Sequence, residues 1–125
     1  MATEILINDG GAPGRILPFI AGSTVAAGDP LQVKTDGEVE PGTASGARVL
    51  GVALTAASSG NMANVISGRG IILKTNCSGT IALGDDVQMS VYGWLEDSKA
   101  VGNSVGVALE AQTGTTPSLK KVLLL

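Results

Sequence analysis

The sequence carries one pattern of residues twice, 56 positions apart, as the alignment of Gly28 with Gly84 shows. Residues 24–33, TVAAGDPLQV, align with residues 80–89, TIALGDDVQM, and five of these ten positions are identical. Most of the others exchange one apolar residue for another. A repeat of this length is one supersecondary unit, which packs on a neighbour because it cannot bury its apolar face alone. The chain is therefore expected to fold as two similar halves.

The match extends well beyond these ten positions. GEVE at 37–40 aligns with GWLE at 93–96, and GVAL at 51–54 aligns with GVAL at 106–109. Between these two pairs of segments, the second copy is shorter by one residue. The repeats cover about 21–68 and 77–125. Residues 15–125 are predicted to form a single domain, which a chain of 125 residues can accommodate.

Composition and residue alternation favour an all-β fold. Glycine is abundant, with 18 residues lying between short runs rich in Val, Ile and Leu, as expected of strands joined by tight turns. Residues 31–34 and 87–91 alternate apolar with polar side chains, which is the period of a half-buried strand. Asp36-Gly37 and Tyr92-Gly93 follow as hairpin turns. We predict a small β-barrel or β-tulip in which the two copies close on each other.

Two local patterns refine this prediction. Pro18 lies in the apolar segment 15–20, and because proline donates no backbone hydrogen bond, this strand belongs at a sheet edge or a bulge. In the GVAL segments, large residues are expected to fill the interior while small residues on the other face allow close approach. The large residues are Leu50, Val52 and Leu54 in the first copy and Val105, Val107 and Leu109 in the second, and the small ones are Gly51, Ala53, Gly106 and Ala108.

Residues 1–14 lie outside the repeat. The short apolar run 4–7 precedes NDGGAPG at 8–14, which interrupts regular structure. We interpret residues 1–14 as an extended N-terminal arm that becomes ordered on a partner, with Glu4, Ile5, Leu6 and Ile7 as candidate partner-binding residues. The alternative is that this segment is an edge strand of the barrel itself.

The residue inventory argues against catalysis and metal binding. The chain has no histidine and one cysteine, Cys77, so neither a Ser/His nor a Cys/His pair nor a zinc site can be assembled. Cys77 is expected to be a small buried apolar residue. Asp85 and Asp86 are adjacent, so on a strand they would point to opposite faces, and a turn role is predicted. We expect no enzyme activity and no cofactor.

Charge and hydropathy restrict the possible partners. The net charge is −3 and no cluster of basic residues is present, which argues against nucleic-acid binding. No apolar run approaches the roughly 20 residues that a membrane-spanning helix needs, and no signal peptide is recognisable. The protein is therefore expected to be made in the cytoplasm and to bind no membrane.

Trp94 differs most clearly between the copies, because its aligned residue is Glu38. An aromatic residue in one copy only is a candidate partner anchor, since tryptophan is enriched where interfaces gain most of their affinity. The alternative is that Trp94 folds over the end of the barrel. The other two aromatic residues, Phe19 and Tyr92, are not expected to form a stacking platform with it.

The order of these motifs resembles that of the capsid cement, or head decoration, proteins of tailed bacteriophages. The resemblance covers roughly residues 16–125, and the pieces that carry it are Ala27-Gly28-Asp29-Pro30-Leu31, Gly51-Val52-Ala53-Leu54, Gly84-Asp85-Asp86-Val87, Gly93-Trp94 and Gly106-Val107-Ala108-Leu109. The resemblance implies a compact β domain on the outer surface of the phage head. It further implies a homotrimer that bridges adjacent major capsid proteins and reinforces the expanded shell, in the virion of a phage assembled in the host cytoplasm.

One other function remains open from the residues. A small β-barrel can bind a sugar or a lipid, although the interiors of such barrels are normally filled by side chains. A ligand-binding module is therefore the alternative to the structural role.

Overall fold

The computed structural model describes residues 5–8, 15–98 and 104–125, with residues 6–8 described by their backbone alone. These residues form eleven β-strands and no helix. The strands in chain order are β1 (Leu6–Asn8), β2 (Arg15–Ile20), β3 (Pro30–Val33), β4 (Val39–Pro41), β5 (Gly51–Ala53), β6 (Met62–Ser67), β7 (Ile72–Cys77), β8 (Asp86–Met89), β9 (Leu95–Asp97), β10 (Gly106–Ala108) and β11 (Ser118–Leu124). The predicted all-β fold is confirmed.

The strands form two sheets with one shared order. The first half of the chain, β2 to β6, forms a five-stranded sheet in the order β2-β6-β5-β3-β4. The second half, β7 to β11, is arranged as β7-β11-β10-β8-β9, with β1 added outside β7 as a sixth strand. Strand for strand, β2 corresponds to β7 and β6 to β11. Each half therefore begins with a strand that precedes the aligned sequence segments, β2 in the first half and β7 in the second. We call β2 and β7 the lead-in strands.

Each five-stranded sheet is curved, so that the strands at its two ends contact each other. In the second half, β7 pairs in parallel with β9 through Cys77 and Leu95. In the first half, Ala21 at the end of β2 makes the corresponding parallel bridge to Val39 of β4. Each half is thus a small barrel-like unit. The sequence predicts two copies closing on each other, whereas the strand pairing closes each half on itself.

Two apolar cores match this arrangement. The smaller core lies in the first half and consists of Ala21, Val25, Leu31, Val39, Ala53, Ala63 and Val65. The larger core lies in the second half, around Leu73, Met89 and Leu95, and it also takes in Val52 and Ile66 from the first half. The two halves are therefore joined by shared apolar packing.

The GVAL segments follow the predicted alternation only in part. An added Cβ on Gly51 would lie 2.3 Å from the carbonyl oxygen of Ile66, so the predicted close approach of a neighbouring backbone is present. In both copies the small alanine, Ala53 or Ala108, is buried in the core of its own half, and in the second copy Val107 is only half-buried. The prediction that Val107 fills the interior is wrong, because the core of this half lies on the side of the small residues.

The edge strands β2 and β1 test the predictions made for Pro18 and for the N-terminal segment. β2 is an edge strand, as Pro18 predicts. At the other sheet, β1 pairs antiparallel with β7, and Ile5 beside it is 1% exposed. The main-chain N–H of Lys74 donates to the carbonyl oxygen of Ile5 at 2.7 Å. Of the two interpretations of the N-terminal segment, an edge strand describes residues 6–8, while Glu4 and the remainder of the proposed arm lie outside the described residues.

Candidate functional site

The acidic residues that could suggest chemistry have structural roles. Oδ2 of Asp85 accepts the main-chain N–H of Ala82 at 2.9 Å, so this carboxylate stabilises its turn, while Asp86 begins β8. Glu96 accepts a hydrogen bond from the side-chain amide of Gln88 at 2.9 Å. Within residues 5–8, 15–98 and 104–125, no three His, Cys, Asp or Glu side chains are grouped to hold a metal ion.

Cys77 is a core residue. Its side chain is buried among apolar residues of the second half and forms no disulfide. Burial raises the pKa of the Cys77 thiol to about 12. Because the thiolate is the reactive form of cysteine, this group is unsuited to act as a nucleophile near neutral pH.

An aromatic pair marks the β8–β9 hairpin. The rings of Tyr92 and Trp94 are stacked, with centroids 5.3 Å apart and planes inclined by 26°. Tyr92 is 71% exposed, and Trp94 is half-buried. Ser90 fixes the turn, because its hydroxyl oxygen accepts the main-chain N–H of Tyr92 at 3.2 Å. Two of the three aromatic residues therefore do lie together, contrary to the sequence interpretation.

The corresponding hairpin of the first half is charged. Asp36 and Glu38 occupy the places of Tyr92 and Trp94, and Nζ of Lys34 lies 3.9 Å from Asp36 and 4.0 Å from Glu38. The main-chain N–H of Glu38 donates to Oδ1 of Asp36 at 3.0 Å and lowers the pKa of Asp36. One hairpin is thus suited to water and the other to a contact, although both are built on the same strands.

A polar groove adjoins the aromatic hairpin. Its volume is about 900 Å³, and its walls carry both rings together with hydroxyl, amide and carboxylate groups. The polar residues that line it include Ser45, Ser78, Thr80, Asp85, Gln88, Glu96, Asp97 and Thr115. A stacked ring pair beside such groups can contact either a protein surface or a sugar.

The predicted partner-binding residues fall in two separate places. Ile5 is buried against the second half, close to the 26–29 turn, and Leu6 and Ile7 belong to β1. Trp94 lies in the β8–β9 hairpin. Exposed Leu83, in the 82–85 turn, was missed by sequence reasoning, although its alignment with Ala27 shows that the two turns differ at this position.

The residues that the structure describes include no helix that is long and apolar enough to cross a membrane. The architecture that emerges is an all-β module of two like-folded halves, with a stacked aromatic pair on the β8–β9 hairpin of the second half.

Comparison with known proteins places this module. The chain belongs to the phage cement protein family, whose pattern it matches over residues 11–122. Among solved structures, it resembles the N-terminal base of the head fiber protein gp8.5 of bacteriophage phi29, with a TM-score of 0.72 and 17% sequence identity. The match covers 90% of this chain and 95% of the phi29 chain. No curated protein sequence matches the chain.

These comparisons support the predicted class. Family membership gives the chain a structural role at the phage capsid and a location in the virion. The similarity to the phi29 head fiber base, at this low identity, shows a shared fold. The resemblance read from the sequence is confirmed.

Proposed function

We propose that this protein cements the phage head by binding its outer surface, as a homotrimer that bridges adjacent major capsid proteins. The observation that carries the proposal is the aromatic hairpin, an exposed contact feature present in one half only. Tyr92 and Trp94 stand where the first half has Asp36 and Glu38. Membership of the phage cement protein family supports the capsid as the surface that this hairpin would contact.

The energetics of such a role are those of linked binding. A protein that binds only the expanded shell stabilises that shell by about 2.7 kcal/mol per site when its free concentration is 100 times Kd. The same restraint is repeated at every equivalent position of the head. Modest contacts therefore sum to a large resistance against the outward pressure of packaged DNA, and no turnover is required.

The N-terminal segment is proposed as a second contact. β1 is the outermost strand of its sheet, so its second edge has no neighbouring strand within the described part of the chain. A strand edge of this kind can pair with an extended segment of another protein through main-chain hydrogen bonds. In this proposal Ile5 anchors β1 from inside, and β1 presents its outer edge to a capsid subunit.

Binding to expanded heads that lack this protein tests the proposal. Sedimentation of a mixture should show saturable binding in a fixed ratio to the capsid protein, and decorated heads should release DNA at a higher temperature than bare ones. A Tyr92→Ala variant should bind more weakly, whereas Asp36→Ala, its matched control in the other hairpin, should bind normally. Absence of saturable binding by the unaltered chain would overturn the proposal.

The groove beside Tyr92 and Trp94 favours one alternative, a sugar-binding module. Stacked rings next to amide and carboxylate groups are suited to a pyranose ring. Trp94 is the only tryptophan, so its fluorescence reports directly on this groove. Titration with bacterial surface oligosaccharides should leave the emission unchanged if the hairpin serves the capsid, and a saturable change abolished by Tyr92→Ala would favour the alternative.

A further inference from the structure

The two halves contain the same turn, built from the same hydrogen bonds. In the 26–29 turn, the main-chain N–H of Ala26 donates to Oδ2 of Asp29 at 2.9 Å, and in the 82–85 turn Ala82 donates to Asp85 at the same distance. The central glycines donate to Ala53 in the first half and to Ala108 in the second, each at 2.8 Å. The two turns therefore present their outer surfaces in corresponding ways.

The 26–29 turn is docked on the second half, at the edge of β7. The carbonyl oxygen of Gly28 accepts the main-chain N–H of Asn76 at 3.0 Å and the hydroxyl of Thr75 at 2.9 Å. The side-chain amide of Asn76 donates to Oδ1 of Asp29 at 2.8 Å. An added Cβ on Gly28 would lie 2.3 Å from Leu119, which pairs with Asn76 across β7 and β11. The chain thus shows how a turn of this type binds the edge of a lead-in strand.

The 82–85 turn is not docked in this way. Leu83 is 70% exposed, and a Cβ added to Gly84 would meet no atom within 4 Å. The aligned residue in the docked turn is Ala27. The exposed copy of the turn therefore carries a larger apolar side chain than the docked copy, which is the reverse of what solvent exposure alone favours.

The strand that corresponds to β7 is β2, and their registers can be matched by hydrogen bonds. Gly22 donates to the carbonyl oxygen of Val39, and Ser78 donates in the same way to Leu95. Gly22 and Ser78 are therefore equivalent positions. Ile20, two residues before Gly22, corresponds to Asn76, two residues before Ser78. Met62, which pairs with Ile20, takes the place of Leu119. Ile20 and Met62 are 41% and 60% exposed.

The edge of β2 is suited to a turn and unsuited to an added strand. The main-chain N–H of Ala21 donates to Asn61, and because bonded positions alternate along an antiparallel pair, the N–H of Ile20 points away from β6. The next outward position is Pro18, which has no N–H. The counterpart of Pro18 in β7 is Lys74, whose N–H donates to the carbonyl oxygen of Ile5, the residue before β1. The β2 edge thus retains the donor that binds a turn and lacks the donor that binds a strand.

We propose that the 82–85 turn of one copy docks on Ile20 and Met62 of a second copy, repeating between chains the contact that the 26–29 turn makes within one. Both exposed surfaces are more apolar than their docked counterparts, with Leu83 in the place of Ala27 and Ile20 in the place of Asn76. Each copy offers one turn and one edge, so the contact is heterologous and generates either a closed ring or a filament. The inference deepens the proposed function, since such a ring supplies the oligomer that would bridge capsid subunits.

Cross-linking between two variants, each with one added cysteine, tests this arrangement. Leu83→Cys and Met62→Cys are each purified, and the two are mixed and treated with a short bismaleimide. The native Cys77 is buried with a raised pKa, so it should not compete. The proposal predicts a covalent dimer in the mixture and none with either variant alone. A product from Leu83→Cys alone would indicate a symmetric interface and overturn the proposal, as would the absence of any product at millimolar concentration.

Charge substitutions at the same positions provide a second readout. Leu83→Asp and Met62→Asp should each reduce the chain to monomers in light scattering and leave each monomer folded, because both side chains are exposed in the single chain. Leu125→Asp, at a residue that is 61% exposed and belongs to neither surface, is the matched control and should leave the association unchanged. These measurements use the chain in solution. Ring formation without capsid binding would contradict the proposed function alone, and capsid binding by a chain that never cross-links would contradict this inference alone.

Discussion

The side-chain amide of Asn76 in the second half donates a hydrogen bond to Oδ1 of Asp29 in the first, at 2.8 Å. This contact joins the two halves beside the point where Gly28 meets the edge of β7. Asp85, the counterpart of Asp29, also accepts the N–H of its own turn but belongs to the exposed turn. The duplicated architecture therefore supplies an internal control for each residue at the junction.

Asp29→Ala should destabilise the protein more than Asp85→Ala. Both variants lose the hydrogen bond to their own turn, but only Asp29→Ala also loses the bond to Asn76. Removal of one hydrogen bond of this type costs about 1 kcal/mol, and an unpaired partner adds to that cost. Urea unfolding of the two variants should give a difference of about 1 kcal/mol or more, and equal midpoints would show that the Asn76 contact contributes nothing.

Gly28→Ala should likewise cost more than Gly84→Ala. Both glycines have a positive φ, of 92° and 89°, so both substitutions incur about 1–2 kcal/mol of backbone strain. Only the first places a methyl group against Leu119. Repacking around it adds about 1 kcal/mol or more. Calorimetry should show a lower melting temperature for Gly28→Ala. The opposite order would mean that the 26–29 turn is not docked on the second half.

Ile5→Ala tests whether the N-terminal strand belongs to the folded body. Ile5 is 1% exposed and lies in the larger core, and truncation of a buried isoleucine to alanine costs about 2–5 kcal/mol. The free energy of unfolding, measured in urea, should fall by an amount in this range. Ile16→Ala is the control, because Ile16 is 56% exposed, and it should change stability by less than about 1 kcal/mol. A negligible effect of Ile5→Ala would restore the interpretation of residues 1–14 as an independent arm.

Alkaline pH should weaken the fold through Cys77. Its pKa is about 12 in the folded protein, above the ordinary value of 9.0, because burial disfavours the thiolate. The unfolded chain loses this proton first, so the stabilisation is complete below about pH 9 and is lost as pH rises toward 12. The unfolding free energy of the unaltered chain should fall faster between pH 9 and pH 11 than that of Cys77→Ala. Parallel pH profiles would contradict this prediction.

The aromatic hairpin should contribute more to capsid binding than to stability. Tyr92 is 71% exposed, so Tyr92→Ala should leave the melting temperature nearly unchanged. Loss of an aromatic anchor from an interface costs about 2 kcal/mol or more, which corresponds to roughly 30-fold in Kd. Titration of bare heads with labelled protein measures this change. An unaltered Kd would exclude the hairpin from the contact.

The sequence predicts the elements of this fold better than their packing. The repeat and the alternation of residues 31–34 locate most strands, and Pro18 restricts its strand to a sheet edge or a bulge. The side of the barrel on which Val107 lies could not be predicted, because Gly106 and Ala108 allow either face to pack closely and tertiary context decides between them. The closure of each half on itself was also missed, since it depends in each half on a single parallel contact, Ala21 with Val39 in the first and Cys77 with Leu95 in the second.

The candidate site was predicted only in part. The contrast between Trp94 and Glu38 identifies the hairpin from sequence alone. The stacking of Tyr92 on Trp94 was not foreseen, because residues two apart on a regular strand share a face but a turn can separate them. The exposure of Leu83 depends on which of two equivalent turns the other half covers, and a duplicated sequence contains no rule for that choice.

The proposed attachment of this chain to the outside of a phage head, through its aromatic hairpin, can be decided by a cryo-EM map of heads that carry the protein. Density for the two β units is expected on the outer surface, spanning neighbouring capsid subunits, with Tyr92 and Trp94 at the contact. Density confined to the interior of the head, or a hairpin directed into solvent, would disprove the attachment.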